Sequence, residues 1–148
     1  MSPDNKAIVR RLYEEAWNKR KLEVVKELIS PSHALQAPTL SGSSIGPEAY
    51  KGQIALFLAG FPDLRFTVEE TVAEKDKVVA RWTFTGTHKG KFMGVLATDK
   101  KVSVDGITIH YLAGGRIMDS FTNWDALGMM KQLGAVPAVG ETKTLAAR

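Results

Sequence analysis

The side chains best suited to moving a proton on a small organic molecule lie in the C-terminal third of the chain. In Gly106 to Leu112, Thr108, His110 and Leu112 share one face of an extended segment, and Ile107, Ile109 and Tyr111 share the other. An imidazole with an ordinary pKa near 6.5 is a proton carrier at neutral pH if it faces an enclosed site, and a bland strand histidine if it faces out. Period alone leaves both open. Asp125 stands where a strand pattern passes into a helix pattern. There it can cap the helix by accepting backbone N–H bonds, or point into an apolar cavity, where burial raises a carboxyl pKa and suits it to general acid or base work. Gln36, Gln53 and Asn123 are further polar candidates for such a site.

Several other chemistries are excluded or unsupported. The chain has no Cys, so it holds no disulfide, thiolate metal site or cysteine nucleophile. His33, His88 and His110 are far apart in sequence and form no close-spaced ligand pair, so no metal is expected. Gly86, Gly90 and Gly94 lie between strand patterns and open no helix, which argues against a phosphate loop or dinucleotide fingerprint. No cofactor is expected. A Gly-x-Ser-x-Gly hydrolase elbow is also missing.

The elements that must position the candidates change type midway. Ser2-Pro3-Asp4 offers a helix start, and Ile8, Leu12, Ala16 with Val9, Tyr13, Trp17 repeat at helical spacing. A second helix runs from Leu22 to Ile29 and ends at Ser30-Pro31. Residues 38–46 read as a loop, and Pro47 opens a third helix through Phe61. Period-two alternation begins at Leu64, followed by strands over Lys77 to His88, Lys101 to Leu112 and Arg116 to Trp124. Asp125 to Leu133 returns to helical spacing, with Gly134 as its stop.

Helices followed by a strand meander predict an α+β fold, in which a strongly curved, mainly antiparallel sheet wraps over N-terminal helices as a cone around an apolar cavity. Trp82 and Phe84 share a strand face with His88, and Tyr13 and Trp17 lie one helical turn apart. Each aromatic group is either core or cavity wall.

A length of 148 residues with 44% apolar content suits one core, expected over 1–136 with 137–148 as a loose tail. The +4 net charge is scattered, with no basic stripe, which argues against nucleic acid as a partner. Neither an apolar run of about 18 residues nor a signal-like N-terminus occurs, so a soluble, cytoplasmic protein without membrane contact is expected.

Four segments together resemble the SnoaL-like polyketide cyclases, or ester cyclases, of the nuclear transport factor 2-like superfamily. They are IVRRLYEEAWN at Ile8 to Asn18, FPDLRFTVEE at Phe61 to Glu70, VVARWTFTGTHKGKFMG at Val78 to Gly94, and GITIHYLAGGRIMDSFTNWDALGMMKQLGA at Gly106 to Ala135. The resemblance implies a cone fold and an intramolecular aldol ring closure on an aromatic polyketide ester, without metal or cofactor. By motif position it implies Asp125 as general acid/base. It places His110, helped by Asn123, at the developing oxyanion. Tyr13, Trp17, Gln36, Trp82, Phe84 and His88 would then line a pocket for a small apolar molecule. Two other readings stay open: a binding module whose Asp125 only caps, and an isomerase resembling ketosteroid isomerase, in which Tyr13 or Tyr111 faces Asp125. The superfamily's habit of pairing through the sheet implies a homodimer, for which Ile107, Ile109 and Tyr111 suit the outer face.

Overall fold

The structure, a computed structural model, describes residues 4–40 and 44–136, so the expected tail at 137–148 lies outside the described residues. Helix α1, Asn5–Arg11, starts at Asp4, whose carboxylate accepts the Lys6 N–H at 3.0 Å. Of the expected Ser2-Pro3-Asp4 start, only Asp4 is described. The chain continues directly into π-helical turns over Leu12–Asn18, which bury Tyr13, Ala16 and Trp17. Such wide turns recur at functional sites, where they re-aim side chains.

Helix α2, Glu23–Leu28, ends at Ile29, where the backbone becomes extended ahead of Pro31. Here the architecture departs from the pattern reading. Ile29–Gln36 is strand β1, and Ser44–Ile45 is a short strand β2 within the segment read as a loop. The sequence of β1 has Pro31 and no alternation of branched apolar residues, so no local signal marks it. Its order comes from parallel pairing with a strand far along the chain.

Helix α3, Gly46–Gly60, has Pro47 in its first turn and buries Tyr50 and Ile54. Strands β3, Arg65–Glu74, β4, Lys77–Thr87, β5, Lys101–Ala113, and β6, Arg116–Trp124, follow as an antiparallel meander. Helix α4, Ala126–Gln132, comes last. The sheet order is β2-β1-β6-β5-β4-β3, and the parallel β1–β6 pair makes it mixed. Register shifts at Val68/Glu70, Tyr111/Leu112 and Ile29/Ala34 add local twist and curl the sheet around the helices. This is the α+β architecture expected.

Alternation along β5 decides the facing of its residues. Val102, Val104, Gly106, Thr108, His110 and Leu112 are buried, while Ser103, Asp105 and Ile107 are exposed. His110 therefore faces inward. No helix among the described residues is long and apolar enough to cross a membrane.

Candidate active site

Between the π-helical turns, α3, the residues after β1 and the concave face of the sheet lies a cavity that opens to solvent at one side. Its walls are aromatic. Phe66 stands at the centre, with ring centroids 4.8 Å from Trp17, 5.0 Å from Trp82 and 5.3 Å from Tyr13. Phe57 and Trp124 complete the enclosure at 5.9 Å from each other. The Trp82 indole lies flat enough over β5 that a Cβ on Gly106, its cross-strand partner, would collide with the ring. Glycine at 106 thus permits one wall of the cavity.

Into this apolar surface project a few polar groups. Tyr13 Oη lies 3.0 Å from His110 Nε2, and His110 Nδ1 lies 2.8 Å from Ser120 Oγ. Ser120 Oγ in turn lies 2.9 Å from Nε2 of the fully buried His33. Beside this chain, Trp82 Nε1–H donates to Thr108 Oγ1 at 3.0 Å, and Thr108 and Thr122 share a bond of 2.8 Å. On the opposite wall Trp17 Nε1–H donates to Tyr50 Oη at 2.9 Å. At the mouth Trp124 Nε1–H donates to Thr39 Oγ1 at 3.2 Å.

The electrostatics are those of an apolar, uncharged site. Burial pushes both tyrosine pKa values well above that of a free phenol, so Tyr13 and Tyr50 stay protonated. Burial also lowers His110 to about 3, with nearby His33 adding to the effect, and lowers His33 to about 4 against a small opposing contribution from Asp119. Both imidazoles are neutral at any ordinary working pH. Among the described residues, no Asp, Glu, Lys or Arg lines the cavity.

The model of one family, the SnoaL-like polyketide cyclases, matches residues 7–133. The chain belongs to that family. A curated relative is the nogalonic acid methyl ester cyclase of Streptomyces nogalater, 27% identical over 120 residues that cover 80% of this chain and 90% of the relative. Among solved structures, a protein from Jannaschia sp. CCS1 assigned as a SnoaL-like polyketide cyclase superposes with a TM-score of 0.81 at 29% identity, covering 90% of this chain and 93% of that one. AclR of Streptomyces galilaeus, assigned as a hydroxylase, superposes with a TM-score of 0.79 at 25% identity, covering 97% and 88%. Similar frames thus carry proteins assigned to different chemistries.

Placed on this SnoaL-like frame, the expected site residues separate into two groups. His110, Tyr13, Trp17, Trp82 and the polar candidate Gln53 line the cavity together. Asp125 does not. Ser120, Thr122 and Trp124 line the cavity and Phe121 and Asn123 are exposed, so Asp125 follows on the outward side of the alternation. Its Oδ1 accepts the Gly128 N–H at 2.9 Å as the N-cap of α4, packed so closely that a Cβ at Gly128 would strike the carboxylate. Asp125 belongs to the cap and not to the cavity.

Asn123 is likewise exposed, opposite Ile107 on the convex face, so it cannot assist His110. Gln36 ends β1 exposed, while its neighbours Leu35 and Ala37 line the cavity. Phe84 is buried behind the wall, between Phe61 at 5.7 Å and Phe57 at 6.0 Å. His88 is buried at the far end of β4, 5.4 Å from the Phe61 ring, where Nδ1 accepts the Thr98 N–H at 3.2 Å. None of these four lines the cavity.

Pattern reading did not single out Tyr50, His33, Ser120, Thr108, Thr122 or Trp124 as site residues. Trp124 could have been found from the β6 alternation, since it is in phase with Ser120 and Thr122. His33 and Ser120 had no local signal, because they meet only through the β1–β6 pairing across 87 positions. Among the described residues, no group of three or more His, Cys, Asp or Glu could hold a metal ion.

Proposed function

We propose that this SnoaL-like protein binds a flat, uncharged carbonyl or ester compound in the aromatic cavity and promotes ring closure from the compound's enol form, with Tyr13 as the principal hydrogen-bond donor. The observation that carries this reading is the buried Tyr13 hydroxyl, in contact with His110 on the wall of a cavity without charged groups. The aromatic walls favour a planar ligand and hold its reacting carbons near each other, which lowers the entropic part of the barrier. As the enol carbon bonds to the acceptor carbonyl carbon, the carbonyl π bond breaks and charge develops on its oxygen, which takes the proton given up by the enol O–H. Neutral donors fixed in an apolar site stabilise that charge without reorganising. Tyr50 is a second donor, because its oxygen accepts the Trp17 N–H and its own proton remains free for a ligand.

His110 acts on the substrate through Tyr13. The family relationship and the relative that acts on nogalonic acid methyl ester support the cyclase reading. A second reading, a binding protein without turnover, is favoured by one observation: the Asp125 carboxylate is spent on its helix cap. Nogalonic acid methyl ester is the probe that separates the two. Its cyclisation, followed by chromatography, with a loss of about 100-fold in Tyr13→Phe, is the expected result. Saturable binding without product would establish the second reading instead.

We further propose a homodimer through the convex sheet face, where Ile107 and Phe121 are exposed and Tyr111 meets Phe121 edge-to-face at 5.8 Å. A monomeric mass at micromolar concentration in sedimentation would remove it.

A further inference from the structure

The two tyrosines of the cavity each face a ring nitrogen, but only one of those contacts has a fixed direction. Indole Nε1 can only donate, so Trp17 donates to Tyr50 and leaves the Tyr50 proton free. An imidazole nitrogen can donate or accept, so the contact between Tyr13 and His110 Nε2 can run either way. If Tyr13 donates to His110, its proton is used up and the substrate oxygen finds no donor there. If His110 donates to Tyr13, the Tyr13 proton is free for the substrate.

The rest of the chain decides between them. Ser120 Oγ touches His110 Nδ1 at 2.8 Å and His33 Nε2 at 2.9 Å. A hydroxyl has one proton and two lone pairs; accepting from both rings would leave the buried Ser120 proton without an acceptor among the described residues, so Ser120 donates to one ring and accepts from the other. The two directions differ in what they leave at the far end. His33 Nδ1 is buried and has no hydrogen-bond partner among the described residues. When Ser120 donates to His33, the His33 proton must sit on Nδ1 as a buried, unpartnered N–H. When His33 Nε2–H donates to Ser120, only a lone pair is left there, which native interiors tolerate better than an orphaned N–H. The second direction propagates without conflict: His33 Nε2–H to Ser120, Ser120 O–H to His110 Nδ1, and His110 Nε2–H to Tyr13 Oη.

We propose that His33, although it does not line the cavity, is a positioning residue that acts through Ser120 and His110 to hold Tyr13 as a donor toward the ligand. This deepens the proposed function and rests on it for its catalytic consequence. The direction of the hydrogen bonds is independent of that function. No net charge moves along the chain; the four residues set the direction of a dipole.

The experiment is a long-range ¹H–¹⁵N correlation spectrum of the histidine-labelled full chain at neutral pH, which reads the tautomer of each ring. Only three histidines are present, so single variants assign them. The expected result is Nε2–H on His33 and on His110. In His33→Phe, where Ser120 loses its donor, His110 is expected to shift toward Nδ1–H. His33→Gln, whose amide N–H can take the place of Nε2–H, is expected to keep His110 as Nε2–H. Finding Nδ1–H on His110 in the unmodified protein overturns the proposal, and this arm needs no variant to fold.

With nogalonic acid methyl ester, His33→Phe is expected to lower kcat about tenfold or more, with KM changed less than about twofold, as for a group that favours the transition state only. His33→Gln is expected to recover most of kcat. An unchanged kcat in a folded His33→Phe also overturns the proposal. Failure of the unmodified protein to turn over the ester counts against the cyclase reading alone, because the tautomer spectrum still decides the hydrogen-bond direction.

Discussion

The hydroxyl of Tyr13 lies 3.0 Å from His110 Nε2, although 97 positions separate the two residues. One is carried by a π-helical turn and the other by the C-terminal part of β5, so the contact joins the helical layer to the sheet at the cavity wall. Both side chains are almost wholly buried, at 4% and 1% exposure, so neither can exchange the other for solvent. The consequences of this arrangement can be measured.

Replacing Tyr13 with Phe keeps the ring and removes the donor. Turnover of nogalonic acid methyl ester is expected to fall about 100-fold or more. The His110 N–H is left without its partner at a stability cost of about 1–3 kcal/mol. A thermal melt should show a correspondingly lower Tm with a single cooperative transition. An active Tyr13→Phe protein would remove Tyr13 from the mechanism.

Asp125→Asn conserves a capping side chain and abolishes the charge, and it is expected to leave both kcat and Tm nearly unchanged. Asp125→Ala removes the cap and should cost about 1 kcal/mol, read as a lower denaturant midpoint, again without a specific loss of kcat. A tenfold loss of kcat in the Asn variant would contradict the placement of Asp125 outside the cavity.

Gly106→Ala places a methyl group where the Trp82 indole now lies. The ring must move or the strands must part, at a cost of about 1–3 kcal/mol for overpacking. Tryptophan fluorescence should shift, and affinity for a planar ligand should weaken together with stability. Retention of both spectrum and affinity would show that the wall is less tightly packed than the close approach implies.

Stability should depend on pH through His33 and His110. In the unfolded chain each titrates near 6.5, whereas in the fold they remain neutral down to about 4 and about 3. Between those limits the unfolded state binds more protons, so stability is complete above about pH 6.5 and is lost as pH falls through this window. Each histidine contributes a slope of at most about 1.4 kcal/mol per pH unit. Urea unfolding at a series of pH values should show the fall, and His33→Phe should reduce its slope. A flat profile from pH 6.5 to 4.5 would contradict the buried, neutral assignment.

Much of the frame was legible in the residue pattern. Period-two alternation marked β4, β5 and β6, because each buries one face and exposes the other. The helical spacing of Tyr13 and Trp17 placed both on one inward stripe. Strand β1 was illegible, since Ser30-Pro31-Ser32-His33 looks like a helix stop and becomes a strand only by pairing in parallel with β6. With β1 unseen, the meeting of His33 and Ser120 could not be anticipated.

The sequence by itself determined the order of the helices and of the four meander strands, the aromatic character of one face of β4, and the absence of any thiol, because these follow from local periodicity and composition. Tertiary structure alone decided which polar groups work together. Alternation relates a side chain to a face, but the face that becomes interior is chosen by what packs over it. That choice turned His110 toward Tyr13, and at the end of β6 it gave the inward position to Trp124 and left Asp125 to cap the last helix.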